Sequence, residues 1–203
     1  PVCKICGKVA INPKTPDYLL TKLSKDKEWL VKIVVVNNRN TPVELLIKLS
    51  EDKDWRVREA VAERSNIPVD VLVKLANDPS YEVLKAVAEN FNTPKHILAK
   101  LAKRKEYEVR FAVSQNVNTP ADTLKMLSTD CEFEICCNVA CNPSTPVDVL
   151  IKMAEDEESD IRECVAGNSS TPIDIVIKLT NDDEDIVRSA AKKAIQKRSA
   201  HCV

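Results

Sequence analysis

The chain has 203 residues, of which 44% are hydrophobic and 30% charged, and its 31 acidic and 30 basic residues leave a formal net charge of −1. This balance argues against a general binder of nucleic acid or of anionic membranes. Because no apolar stretch approaches the roughly 20 residues that a membrane-spanning helix needs, we expect no membrane partner.

One unit of 26 residues repeats seven times in register. Proline returns at each step, at Pro16, Pro42, Pro68, Pro94, Pro120, Pro146 and Pro172. A fixed period of this size is typical of solenoids and repeat arrays. The repeats are 12–37, 38–63, 64–89, 90–115, 116–141, 142–167 and 168–193, with a half-repeat at 2–11 before them and a polar cap and tail at 194–203 after them.

The first part of each repeat predicts a helix, as residues 41–49 illustrate. Thr41 is a favoured N-cap residue, and Pro42 suits the first helical turn, where its missing N–H costs nothing. Leu46 and Leu49 then give this helix one apolar face. Lysines recur near its end, and Lys48 follows Glu44 by four residues. We interpret this lysine column as a solvated face with ion pairs at i, i+4 spacing, the alternative being a basic stripe for acidic partners.

The second part of each repeat predicts another helix, with Asp52 at its start. Val57, Ala60 and Val61 are spaced for burial on one face. The helix ends at an asparagine column, and asparagine tolerates the left-handed conformation that closes helices. That tolerance matters in a chain with only two glycines.

Two short helices cannot bury a core alone, but stacked copies can, each touching its neighbours. No segment shows the alternating pattern of a β-strand. The sequence therefore predicts an all-α solenoid of seven two-helix repeats, forming one domain over 1–203.

The pattern N-x-x-T-P-x-x-x-L-x-x-L-x-x-D-x-x-x-x-V-R-x-A-V-A resembles that of the leucine-rich repeat variant family over essentially the whole chain. The resemblance implies a right-handed α-helical superhelix without β-sheet, in which one helix of each repeat is α or 3₁₀. The spacing of Asp52 and Arg58 also resembles the buried Asp–Arg ladder of HEAT repeats. Members of these families bind proteins or have no assigned role, so the implied function is a non-enzymatic protein–protein interaction scaffold.

The same resemblance raises a second function, an iron–sulfur or other metal-binding redox protein. The founding member of the family carries an N-terminal iron–sulfur cluster, and Cys3 and Cys6 stand at the matching end. Only two cysteines are present there rather than four, so two further ligands would come from outside this chain. The alternative is that neither cysteine binds a metal.

Two more columns run through the repeats. The arginine column includes Arg58, Arg110 and Arg162. We predict that each arginine forms an ion pair with an aspartate six residues earlier or in the next repeat, which together make a ladder. The alternative is a basic groove. The aromatic column is a candidate partner-binding stripe, because tryptophan and tyrosine are enriched at binding hot spots. Its alternative is packing over the start of the neighbouring helix. The column consists of Trp29, Trp55, Tyr81, Tyr107 and Phe133.

The fifth repeat departs most from its siblings. Cys136 replaces the column arginine, and Asn138 replaces a small buried residue. Cys137 and Cys141 are four residues apart on one helix, so they share a face and are candidate reactive thiols. One alternative is a metal site, which is disfavoured because Cys136 lies about 100° round the helix from Cys137. The other is that these cysteines act as small apolar residues.

The sequence shows neither a catalytic constellation nor a phosphate-binding loop, so we predict that the protein is not an enzyme. The eight cysteines lack the spacing of a disulfide framework. They indicate a reducing compartment, and we expect a cytoplasmic protein.

Overall fold

The structure, a computed structural model, describes residues 9–200. Within them every regular element is helical, and each repeat contains two helices, both α. The first helices have seven residues each: α1 (Asp17–Leu23), α3 (Val43–Leu49), α5 (Val69–Leu75), α7 (Lys95–Leu101), α9 (Ala121–Leu127), α11 (Val147–Met153) and α13 (Ile173–Leu179). The second helices are α2 (Trp29–Asn37), α4 (Trp55–Ala62), α6 (Tyr81–Glu89), α8 (Tyr107–Gln115), α10 (Phe133–Cys141), α12 (Ser159–Gly167) and α14 (Asp185–Ala200). The predicted all-helical repeat fold is confirmed.

The chain forms two compact units, Pro1–Ile97 and Leu98–Val203. In the first unit α2, α4 and α6 pack in succession, and in the second α8, α10, α12 and α14 do the same. The predicted core positions Val57, Ala60 and Val61 are buried, as are Leu46 and Leu49 on the first helix of that repeat. A single domain over 1–203 stays a prediction.

The Thr-Pro pair works differently from its predicted role. Pro42, not Thr41, is the N-cap of α3, and its carbonyl accepts from the N–H groups of Leu45 and Leu46. The Thr41 hydroxyl points backward and donates to the carbonyl of Val35 in the preceding helix. Thr171 repeats this bond to Val165 at 2.6 Å. Threonine therefore fastens the end of one repeat to the start of the next.

The asparagine column also differs from expectation. The described residues contain no positive φ, and Asn168 is extended at φ −73° and ψ 127°. Its side-chain amide donates to the carbonyls of Ala140 at 2.7 Å and Asn142 at 2.9 Å, which lie 28 and 26 residues earlier. Its Oδ1 accepts from the backbone N–H of Ser170. The asparagine is thus a buried connector between repeats, not a left-handed cap.

The last repeat ends the array in a distinct way. Helix α14 runs on for 16 residues, through the position where earlier repeats break at asparagine. Arg198 lies near its end and donates to the carbonyls of Thr171 at 2.8 Å and Asn168 at 2.9 Å. Its guanidinium binds the backbone that another repeat would otherwise cover. No helix among residues 9–200 is long and apolar enough to cross a membrane.

Candidate functional site

Charged ladders join consecutive repeats. Arg162 on α12 binds Asp182 of the next repeat through two bonds, Nε–Oδ2 at 2.8 Å and Nη2–Oδ1 at 2.9 Å. Its Nη1 donates to the carbonyl of Asp156, six residues earlier, at 2.8 Å. The hydrogen bond from Arg162 holds the pKa of Asp182 below its ordinary value. Arginine's planar fork suits such bidentate, partly buried pairs.

The same arrangement recurs in both units. Arg110 pairs with Asp130 in the second unit, while Arg58 with Asp78 and Lys32 with Asp52 do so in the first. The predicted ladder is present, and its side-chain partner lies 20 residues later, in the next repeat. Because each of these cationic side chains is already paired with an aspartate, the column does not form an open basic groove.

Two lysines of the lysine column pair with acids of the preceding repeat. Lys178 lies 2.9 Å from Glu155, and Lys74 contacts Glu51 in the same way. These are not the i, i+4 partners that the sequence predicted. All four side chains are more than half exposed. Such exposed pairs contribute about 0–1 kcal/mol, so the solvated-face interpretation fits them.

The five predicted aromatic residues do not share one environment. The Arg56 guanidinium lies 3.8 Å from the centre of the Trp29 ring, so the start of α4 covers that side chain. Tyr107 is partly buried, and its ring centre lies 5.6 Å from that of Phe111. Trp55, Tyr81 and Phe133 are 37%, 41% and 39% exposed. Partner binding by this column stays a prediction.

A stronger apolar surface, which sequence reasoning missed, lies on the first helices of repeats 6 and 7. Val147 and Ile151 on α11 are 47% and 42% exposed, and Ile173 and Ile177 on α13 are 48% and 53% exposed. Each pair is spaced i, i+4, so its members share one side of their helix. We call these four residues the aliphatic face.

Folding does not require aliphatic side chains at these positions. In repeat 5 the same two positions carry Ala121 and Lys125, and in repeat 4 Lys95 and Ala99. Lys125 forms an exposed ion pair at 2.6 Å with Asp148, on the helix that carries the aliphatic face. Sequence comparison of the repeats does not single out the face, because repeats 2 and 3 also carry aliphatic pairs at these two positions.

One Arg–Asp pair of the ladder, which we call a rung, is absent in the second unit. Cys136 occupies the arginine position, and its thiol lies 3.6 Å from the carbonyl of Asp130. Among the described residues no cation pairs with the side chain of Asp156, which this rung would otherwise bind. An open cleft of about 560 Å³ lies beside it, lined by residues that include Thr129, Lys152 and Asp156.

The fifth repeat also buries an unpaired amide. Within residues 9–200 Asn138 Nδ2 has no hydrogen-bond partner, whereas repeats 2, 3 and 4 carry alanine there, at Ala60, Ala86 and Ala112. A buried donor without a partner costs about 1–3 kcal/mol. Repeat 5 therefore buries a polar group at a position where other repeats carry an apolar one.

The predicted thiol pair Cys137 and Cys141 is only partly as expected. Cys141 is exposed, but Cys137 is half-buried, and burial raises its pKa to about 11. The hydrogen-bond partner of Cys141 is Cys164 on α12, in the next repeat. Sequence reasoning placed Cys164 in the column of Asn138 but did not pair it with Cys141.

The predicted N-terminal metal ligands Cys3 and Cys6 lie outside the described residues, so an iron–sulfur cluster stays a prediction. Between residues 9 and 200, no group of three or more His, Cys, Asp or Glu side chains is placed to hold a metal ion.

Comparison with known proteins supports the repeat assignment. The family model described as "Leucine rich repeat variant" matches residues 55–80, one period of the array. A search of the curated proteins gives no match.

Solved structures agree on the fold. A leucine-rich repeat variant with a novel repetitive structural motif is 25% identical, with a TM-score of 0.65, covering 88% of this chain and 71% of its own. An engineered protein is 17% identical with a TM-score of 0.51, covering 94% and 72%. Human deoxyhypusine hydroxylase reaches a TM-score of only 0.44 at 14% identity, over 95% and 94%, and says nothing about activity here.

Proposed function

From a helical array of the leucine-rich repeat variant type, we propose a non-enzymatic scaffold that binds another protein through the aliphatic face. The observation that carries this proposal is the exposure of Val147, Ile151, Ile173 and Ile177, between 42% and 53% each. Exposed aliphatic side chains grouped at equivalent positions of two consecutive repeats suit a protein interaction site.

The charges around the face support a protein partner. Lys125 is paired with Asp148 and Lys178 with Glu155, so the charges of these two lysines beside the face are compensated. A surface with compensated charges favours neither a nucleic acid nor an anionic lipid surface, which need clustered positive charge. It suits a protein segment that presents aliphatic or aromatic side chains.

The geometry of the face indicates how such a segment binds. Each of α11 and α13 supplies two apolar side chains one helical turn apart, and the repeat sets both pairs at equivalent positions. Apolar anchors at the centre of an interface, surrounded by polar residues that exclude water, carry most of the binding energy in protein complexes. We expect the partner's apolar side chains to lie across both helices.

Site-specific photo-crosslinking tests the proposal. A benzophenone amino acid is placed at Ile151 or Ile177 in the full chain, with Glu163 on α12 as the control position. After exposure to native cell extract under reducing conditions, we expect one protein to be captured at both isoleucine positions and not at Glu163. Retention of only a nucleic acid or a small molecule would refute the proposal.

A further inference from the structure

Cys141 and Cys164 bring two thiols together across a repeat junction. Cys141 is the last residue of α10, Cys164 lies within α12, and these helices pack directly on each other. Their thiols lie close enough for each to shift the pKa of the other, Cys141 is exposed, and Cys164 is half-buried. An oxidant from solution therefore reaches Cys141 first, with a second thiol already in contact.

The proton distribution in this pair favours Cys141 as the nucleophile. Donation of the Cys164 S–H lowers the pKa of Cys141, and the same bond raises the pKa of Cys164. The nearby Glu163 and the negative end of α10 act in the opposite direction on Cys141. Burial raises the pKa of both Cys136 and Cys137. Cys141 is thus the member of this group whose thiolate is favoured.

The junction between repeats 5 and 6 also lacks a fastening found elsewhere. Its arginine rung is replaced by Cys136, and the unpaired Nδ2 of Asn138 is buried on the same helix. A covalent bond between α10 and α12 would constrain this junction where the ion pair is absent.

We propose that Cys141 and Cys164 form a reversible disulfide between repeats 5 and 6 when the protein meets a hydroperoxide. The Cys141 thiolate attacks one oxygen of hydrogen peroxide, forming an S–O bond as the O–O bond breaks. The departing hydroxide takes a proton and leaves as water, which yields a sulfenic acid. The Cys164 sulfur then attacks the Cys141 sulfur, and water leaves with the Cys164 proton. Two thiols are oxidised, one peroxide is reduced, and two waters form. A dithiol reductant reverses the bond by thiol–disulfide exchange.

Residues found at the same positions in other repeats provide matched substitutions for a test. Cys141→Gln and Cys164→Ala introduce the residues that repeat 4 carries at these positions, Gln115 and Ala112. Both variants should therefore fold, which circular dichroism verifies. Cys131→Ser removes an exposed thiol on the same repeat and serves as the control.

The experiment treats the reduced full chain with hydrogen peroxide, blocks free thiols, and maps peptides by mass spectrometry without reduction. We expect a peptide pair joining Cys141 to Cys164 with the loss of two hydrogens, reversed by dithiothreitol. Cys164→Ala should accumulate a sulfenic acid at Cys141. Cys141→Gln should consume peroxide more slowly by about tenfold or more, because the favoured thiolate is gone, whereas Cys131→Ser should match the wild type. A cross-link between other cysteines, a cross-link between chains, or unreacted Cys141 and Cys164 in the folded protein would overturn the proposal.

Discussion

Arg162 and Asp182 form a two-bond ion pair across the junction of repeats 6 and 7, with Nε–Oδ2 at 2.8 Å. Their side chains are only 14% and 9% exposed. The arginine also donates to a backbone carbonyl of its own repeat. One residue thus connects a helix, the loop before it and the following repeat.

Replacing Arg162 with Met should destabilise the chain by about 1–3 kcal/mol, since a partly buried carboxylate loses its charged hydrogen-bond partner. Urea unfolding of wild type and variant measures the difference. Lys178→Met is the control, because its exposed pair with Glu155 is expected to contribute at most about 1 kcal/mol. Equal losses from the two substitutions would show that burial of the ladder has no energetic consequence.

Acid should weaken the same rung. Because the folded pKa of Asp182 is depressed by Arg162, its stabilising contribution is fully present above the unfolded pKa of about 3.9. The contribution is lost as pH falls through the folded pKa, when the carboxylate is protonated. Unfolding free energies of wild type and Asp182→Asn should therefore differ at pH 7 and converge as the pH falls below the unfolded pKa of about 3.9. A difference that stays constant across this range would contradict the assignment.

The repeat, its two helices and the buried columns follow from sequence because a 26-residue step and an i, i+3, i+4 pattern are properties of the chain itself. The role of Asn168 does not follow from local pattern. Its amide binds carbonyls 26 and 28 residues away. An interpretation based only on neighbouring residues therefore predicts a helix cap instead. The return of asparagine in nearly every repeat was the available indication of a contact between repeats.

In the candidate sites, too, sequence spacing predicts contacts within one helix but not contacts between helices. Cys137 and Cys141 share a helix, so sequence spacing paired them, but Cys164 reaches Cys141 from a neighbouring helix. That contact depends on how α10 and α12 pack. The aliphatic face was likewise missed, because residue types alone do not say which apolar positions of α11 and α13 remain exposed.

Cys136→Arg should restore the missing rung. The new guanidinium would reach Asp156 across the open cleft, as Arg162 reaches Asp182. We expect stabilisation of about 1 kcal/mol, in the range of a favourable charged hydrogen bond. Thermal unfolding detects it, and Cys136→Met controls for side-chain size without charge. An equal gain from both substitutions would attribute the effect to packing.

Asn138→Ala and Asn142→Ala should have opposite effects although they change neighbouring asparagines. The first removes a buried amide without a partner and introduces the sibling residue, so we expect a gain of about 1–2 kcal/mol. The second leaves the carbonyls of Ser114 and Asn116 without their donor, so we expect a loss of about 1–3 kcal/mol. Urea unfolding of both variants in parallel measures the signs, and a loss from Asn138→Ala would show that its amide has a partner.

The affinity of the captured partner for Ile151→Lys/Ile177→Lys tests the proposed binding surface most directly. Repeat 5 folds with Lys125 at this position, so the double variant should keep its unfolding free energy within about 0.5 kcal/mol of the wild type. Titration calorimetry should show affinity weakened by about tenfold or more, because apolar anchors carry the binding energy. Trp55→Ala/Tyr81→Ala, in the aromatic column, should bind as the wild type does. Unchanged affinity of the lysine variant, with binding lost in the aromatic variant, would contradict the account.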